Sequence, residues 1–153
     1  MKPKVYLETT IPSLLTAWPS RDVLVAGQQQ ATRDWWKPQR RRFELFVSVL
    51  VLQEVERGDV AAAKDRLAVL AEYRVLPFPK EAEGLTRALL ASRLIPAKTK
   101  ADAAHVAIAA VHGMDFLMTW NCRHIANAVI VEQLRDVCKR EGFAARSSAH
   151  HTN

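Results

Sequence analysis

Glycine is scarce in this chain, five residues of 153, and the five are scattered. Neither a phosphate-cradling Gly-rich loop nor a Walker pattern is present, which disfavours a nucleotide-using enzyme of the doubly wound type. Cysteine is scarcer: Cys122 and Cys138 build no disulfide framework, and free thiols in a reducing cytosol are the simplest expectation. Cys122 and His124 are close in sequence, but no paired-cysteine motif accompanies them, so a zinc site is unattractive. No apolar run approaches the roughly 20 residues that span a bilayer, and no membrane role is expected. The opening residues, Met1 to Val5, show no h-region or cleavage site, so no secretory signal is expected and the expected location is cytoplasmic.

What is present is an ordinary globular balance, 49% hydrophobic and 25% charged residues, enough for one domain with a sizeable core. The formal net charge is +6, which favours polyanions such as nucleic acid. The densest basic run, Arg40-Arg41-Arg42, reads equally as a solvated helix end and as a phosphate contact.

Apolar runs alternate with helical patterns along the chain. Val5 to Leu7, Phe43 to Ser48, Tyr73 to Leu76 and Phe116 to Thr119 read as strands. Short helices are expected from Ile11 to Leu15 and from Val49 to Val55, the second running up to Gly58. Longer helices are expected from Arg21 to Arg42 with an interruption near Pro38, from Asp59 as cap through Ala71, and from Lys80 to Arg93. Two more follow, from Thr99 to Gly113 and from about Ala128 to Glu141. This alternation predicts an α/β domain with a parallel sheet covered on both faces. The domain is expected over residues 1–143, followed by a polar tail, 144–153, that reads as frayed rather than as a strand.

In such sheets ligands sit beyond the carboxyl ends of the strands. Glu8-Thr9-Thr10 and Trp120-Asn121-Cys122-Arg123-His124 fall there. Three acids stand out: Glu8 at a strand end, Glu54 interrupting an apolar helix, and Asp102 opening an amphipathic one. Singly, each has an ordinary explanation, and Asp102 fits a capping box with Thr99. Together, on a basic chain, they suit a hard divalent cation such as Mg²⁺ or Mn²⁺, which takes oxygen ligands and assists phosphodiester hydrolysis. Ser48 and Thr119 are placed to orient a carboxylate or water, or simply to end their strands. His105, one turn after Asp102, and His124 are candidates for phosphate contact or proton transfer, although isolated histidines more often serve structure. Glu56 is expected to point away from Glu54.

Four segments in order, Val5–Ser13, Ser48–Gly58, Lys100–Ala110 and Asp115–Asn127, resemble the PIN-domain family, and within it the VapC-like toxins of type II toxin–antitoxin systems. The resemblance implies a PIN-like central parallel sheet of four to five strands with helices on both faces. It places the family's acidic positions on Glu8, Glu54, Asp102 and Asn121, as catalytic residues and metal ligands. Thr9, Ser48, His105, Thr119, Arg123 and His124 become candidate substrate contacts. The implied activity is Mg²⁺- or Mn²⁺-dependent endoribonuclease cleavage of tRNA or rRNA. The implied partners are a cognate antitoxin and a second copy of the chain. Two departures stand out: Glu8 where Asp is usual, and neutral Asn121 at the fourth position. They motivate the alternative of a catalytically weak or inactive PIN-like module that binds RNA or protein.

Overall fold

The computed structural model describes residues 1–93, 100–121, 137–140, 142 and 147–149. In chain order the elements are β1 (Lys4–Leu7), α1 (Thr10–Thr16), α2 (Val23–Gln39), β2 (Glu44–Ser48), α3 (Val49–Val55), α4 (Val60–Leu70) and β3 (Arg74–Leu76). They are followed by α5 (Lys80–Ala91), α6 (Lys100–Val111), β4 (Phe116–Met118) and β5 (Ser147–Ala149).

The strands form one parallel sheet in the order β3-β2-β1-β4-β5. Its inner strands are apolar on both faces, as a covered parallel sheet requires. Tyr6, Leu7 and Val47 are fully buried, whereas Val75 on the edge strand β3 is 40% exposed. From β1 the chain steps one way to β2 and β3, then returns past β1 to β4. Right-handed crossovers therefore place α1 to α4 on one face and α5 and α6 on the other. The packing agrees, since α1 touches α2 and α4, α3 touches α4, and α5 lies along α6. Helix α6 buries Ala103, Ala104, Ala107, Ala109 and Ala110, and these small side chains let it approach α5 and the sheet closely.

Several local expectations are met for the expected reasons. Asp59 caps α4 by accepting from the Ala62 N–H, as expected, whereas Ser48, read only as an orienting hydroxyl or a strand end, also caps α3 by accepting from the Val51 N–H. Gly58 and Gly113 take positive φ values, 86° and 67°, in turns after helices α3 and α6.

Two expectations are corrected. Helix α2 runs unbroken through Pro38, because the ring sits in the last turn and the Arg40 N–H still reaches the Trp36 carbonyl at 3.0 Å. The C-terminal segment contains a strand: β5 pairs in parallel with β4, so that β4 is not an edge. Three consecutive residues of short, polar or small side chains give no apolar alternation to read, and the backbone ladder alone places them. Thr99, the first member of the capping box, and most of the helix expected from Ala128 lie outside the described residues, while residues 137–140 are helical.

Candidate metal centre

Between β1 and β4 the strand order reverses, and their carboxyl ends open a crevice there. Glu8 follows β1, and Thr119, Trp120 and Asn121 follow β4. Helix α3 starts directly off β2, so Glu54, at its last turn, reaches the same edge. The cleft measures about 580 Å³ and is lined by Glu8, Thr9, Glu54, Arg57, Trp120 and Asn121, among others.

Glu8 is buried, at 6% exposure, a costly location for a carboxylate unless its charge is compensated. Its Oε1 accepts from the Thr10 N–H (3.2 Å), the Thr10 hydroxyl (2.6 Å) and the Thr119 hydroxyl (2.8 Å). Glu54 is treated alike. Its Oε1 accepts a hydrogen bond from the Thr9 hydroxyl and a second from His105 Nε2 at 2.7 Å. Burial pushes the Glu54 carboxyl up, but the hydrogen bond from His105, the Thr9 hydroxyl and the nearby Arg57 outweigh it and hold the group below its ordinary value. Among the described residues, all hydrogen bonds to the two carboxylates fall on Oε1, which leaves Oε2 of each to a ligand.

Asn121 lines the cleft, and Asp102 is bonded to it. Asn121 Nδ2 donates to Asp102 Oδ1 at 2.7 Å, and the Asn121 N–H donates to the Thr119 hydroxyl at 2.9 Å. Thr119 thus joins Glu8 on one side to Asn121 and Asp102 on the other. Of the four positions named by the sequence, Glu8, Glu54 and Asn121 line the cleft, and Asp102 adjoins it through its bond with Asn121. The tightest group among the described residues is Glu8, Glu54 and His105, each with a ligand atom within 4.8 Å of the others, and Asp102 falls outside it.

The donor set suits a hard divalent cation. Two carboxylates from distant segments present one oxygen each, and among the described residues neither is ion-paired to Lys or Arg. His105 is a poor candidate for a third ligand. It is 1% exposed, and both ring nitrogens are engaged, Nε2 with Glu54 and Nδ1 with the Tyr6 hydroxyl at 2.5 Å. For the same reason it offers nothing to a phosphate. The sequence places His105 on the face of Asp102, but at this point of α6 that face is turned into the core.

The remaining candidates divide. Thr9 and Thr119 orient carboxylates, and Ser48 both caps α3 and bonds the Tyr6 hydroxyl at 2.8 Å, two links from Glu54. Arg123 and His124 lie outside the described residues. Arg40 to Arg42 follow the end of α2 and precede β2, at the opposite end of the sheet from the cleft. Arg57 and Trp120 are functional candidates that sequence reasoning passed over. The spacing of Arg57 from Glu54, three residues on and just past the end of α3, was the available signal for the first. Trp120 is fixed at both ends, its backbone N–H on the Thr10 hydroxyl (3.0 Å) and its indole N–H on the Thr32 hydroxyl (2.8 Å).

No family profile matches the sequence, and no curated protein is significantly similar to it. Solved structures are similar in fold. A chain of VapBC2 from Rickettsia felis, in a structure with a DNA fragment from their promoter, superposes with a TM-score of 0.62 at 11% identity, covering 96% of this chain and 98% of that one. VapC20 from Mycobacterium tuberculosis, a sarcin–ricin-loop-cleaving toxin, superposes with a TM-score of 0.61 at 16% identity, covering 81% and 95%. The chain is therefore a PIN-like α/β domain with the fold of VapC toxin structures.

Proposed function

We propose that this chain is a metal-dependent endoribonuclease and the toxin of a toxin–antitoxin pair. The observation that carries the proposal is the convergence of Glu8 and Glu54, each with one oxygen tied down and one free, at the sheet's switch point in an otherwise basic chain.

Glu8, Glu54 and Asp102 would hold Mg²⁺ or Mn²⁺, with Asn121 donating its Nδ2 to Asp102. When bound, such a cation polarises the phosphate, lowers the pKa of water and stabilises the leaving oxygen. The chain's own residues do the rest. Thr9, Thr10 and Thr119 fix the carboxylates before substrate arrives, so little reorganisation remains. Arg57, exposed beside Glu54 in the cleft, is placed to meet a phosphate. Trp120, Leu14 and Val25 line the same cleft and supply apolar surface for bases.

RNA cleavage by the purified chain in Mn²⁺, Mg²⁺ or EDTA, beside Asp102→Asn and Glu54→Gln, tests the reading. Cleavage that needs metal and falls at least about 100-fold in either variant is expected. Variants that cut as fast as wild type, with equal metal dependence, end the mechanism. Because the M. tuberculosis neighbour cleaves the sarcin–ricin loop, an rRNA hairpin is the first substrate to try, with tRNA beside it.

A second reading, a PIN-like binding module without activity, is favoured by Asn121, which brings no charge to the fourth position and donates its Nδ2 to Asp102. Calorimetric titration separates the two, since the module predicts no saturable Mg²⁺ or Mn²⁺ binding. The toxin assignment further predicts an antitoxin encoded beside this chain and a homodimer. Failure to co-purify with the product of the neighbouring reading frame removes the toxin role and leaves the nuclease role standing.

A further inference from the structure

Behind Glu54 runs a buried line of polar groups that no step above uses. Ser48 and Tyr6 have no exposed surface and His105 has 1%, yet they are bonded end to end: Ser48 Oγ to Tyr6 Oη at 2.8 Å, Tyr6 Oη to His105 Nδ1 at 2.5 Å, and His105 Nε2 to Glu54 Oε1 at 2.7 Å. The three come from β2, β1 and α6. Buried polar side chains are costly, and a core of this size is simpler to build from Phe, Ala and Leu.

One arrangement of protons satisfies every member. The ionised Glu54 oxygen accepts only, so His105 Nε2 carries a hydrogen. In the neutral ring Nδ1 then accepts, and the Tyr6 hydroxyl donates to it. Burial pushes the Tyr6 phenol far above its ordinary value, so that donor is retained. Tyr6 Oη accepts from Ser48, whose oxygen in turn accepts from the Val51 N–H at 3.2 Å. The line thus has a direction, from the first turn of α3 to the carboxylate at that helix's end. An Nε2 that carries a hydrogen has no lone pair for a metal.

We infer that His105 is a positioning residue for the cation-binding carboxylate: Tyr6 and Ser48 hold it as the Nε2–H tautomer, and it pins Glu54 Oε1 so that Oε2 alone faces the cation. The inference rests on the metal reading of the site. It assigns His105 neither a ligand role nor a proton to transfer to RNA.

Mn²⁺ isotherms on the full chain, with His105→Leu, His105→Gln and Tyr6→Phe, test it. His105→Leu should weaken Mn²⁺ binding by about 10- to 100-fold, the usual cost of losing a partner of a metal ligand. His105→Gln keeps an N–H for Glu54 and an oxygen for Tyr6, and should restore most of the affinity, which a role in packing alone does not predict. Tyr6→Phe removes only the tautomer-setting hydroxyl and should fall between the two, so it carries the test if His105→Leu does not fold. Nitrogen-15 spectra of wild type should keep the His105 Nε2–H signal when Mg²⁺ is added. Loss of that signal makes His105 a ligand, and a Gln variant as weak as Leu leaves it no role through its hydrogen bonds; either result overturns the inference. Unchanged affinity in folded His105→Leu overturns it while leaving the metal site intact, whereas a wild type that binds no Mn²⁺ removes the metal reading and this inference with it.

Discussion

At the scale of single residues, the state of Glu54 has a consequence in acid. Its folded carboxyl titrates below the ordinary value of 4.5. The unfolded chain therefore binds the proton first as pH falls. Glu54 contributes its stabilisation in full above the ordinary value and loses it as pH drops through the folded one. In EDTA, the urea midpoint of wild type should fall more steeply than that of Glu54→Gln below about pH 5. Parallel curves refute the assignment. The buried Cys138 thiol is pushed up to about 11 by burial, so in a Cys122→Ser background it should resist a disulfide reagent at pH 8 until denaturant is added. Prompt labelling of the native protein counts against its placement in the core.

At the scale of elements, the α3–α4 connection decides where Glu54 sits. Helix α3 has only seven residues and ends with carbonyls that need donors. The Arg66 guanidinium supplies them, reaching the Val55 carbonyl at 2.7 and 3.1 Å and the Arg57 carbonyl at 2.9 Å from across α4. Gly58 makes the turn at a φ of 86°, and a methyl group there would meet no atom within 4 Å, so the cost of a side chain is conformational alone. Gly58→Ala should cost about 1–2 kcal/mol in urea unfolding, and Arg66→Ala about 1.5–3 kcal/mol. If Glu54 depends on this brace, Arg66→Ala should also weaken Mn²⁺ binding, and Asp59→Ala, which removes only the cap of α4, should not. Equal effects on Mn²⁺ would mean that the brace stabilises the fold without aiming the carboxylate.

At the scale of the whole molecule, charge and topology act at different places. The excess of cations is spread over the chain, while Glu8 and Glu54, two of its 16 acids, converge at the switch point. RNA affinity should therefore fall with salt, by a slope of about −0.7 per phosphate neutralised on a single strand. The position of a cation along the sheet axis should matter more than its number. Arg57→Ala, in the cleft, is expected to raise KM for RNA by about 10-fold, in the range of one charged hydrogen bond. Replacing Arg40, Arg41 and Arg42 together by Ala, at the far end of the strands, should leave kcat unchanged. A kcat that falls with the triple variant would place RNA across a surface other than this cleft.

Much of this is legible in the sequence. The inner strands are short apolar runs, the Asp59 cap marks α4, and apolar period marks α5, because burial and orphaned N–H groups leave their mark locally. Glu8, Glu54, Asp102 and Asn121 can be named because each breaks a local pattern or matches a motif. What cannot be read is pairing. A three-residue strand such as Ser147–Ala149 has no signature until β4 is beside it. That Thr9 and His105 share one oxygen of Glu54, that Asn121 turns its amide to Asp102, and that His105 is sealed against Tyr6 are meetings between segments up to 99 residues apart. Local sequence determines which groups a residue owns and which element it sits in. Which of those groups are already satisfied, and which are left facing the cleft, is decided only when the sheet and both helical layers close around them.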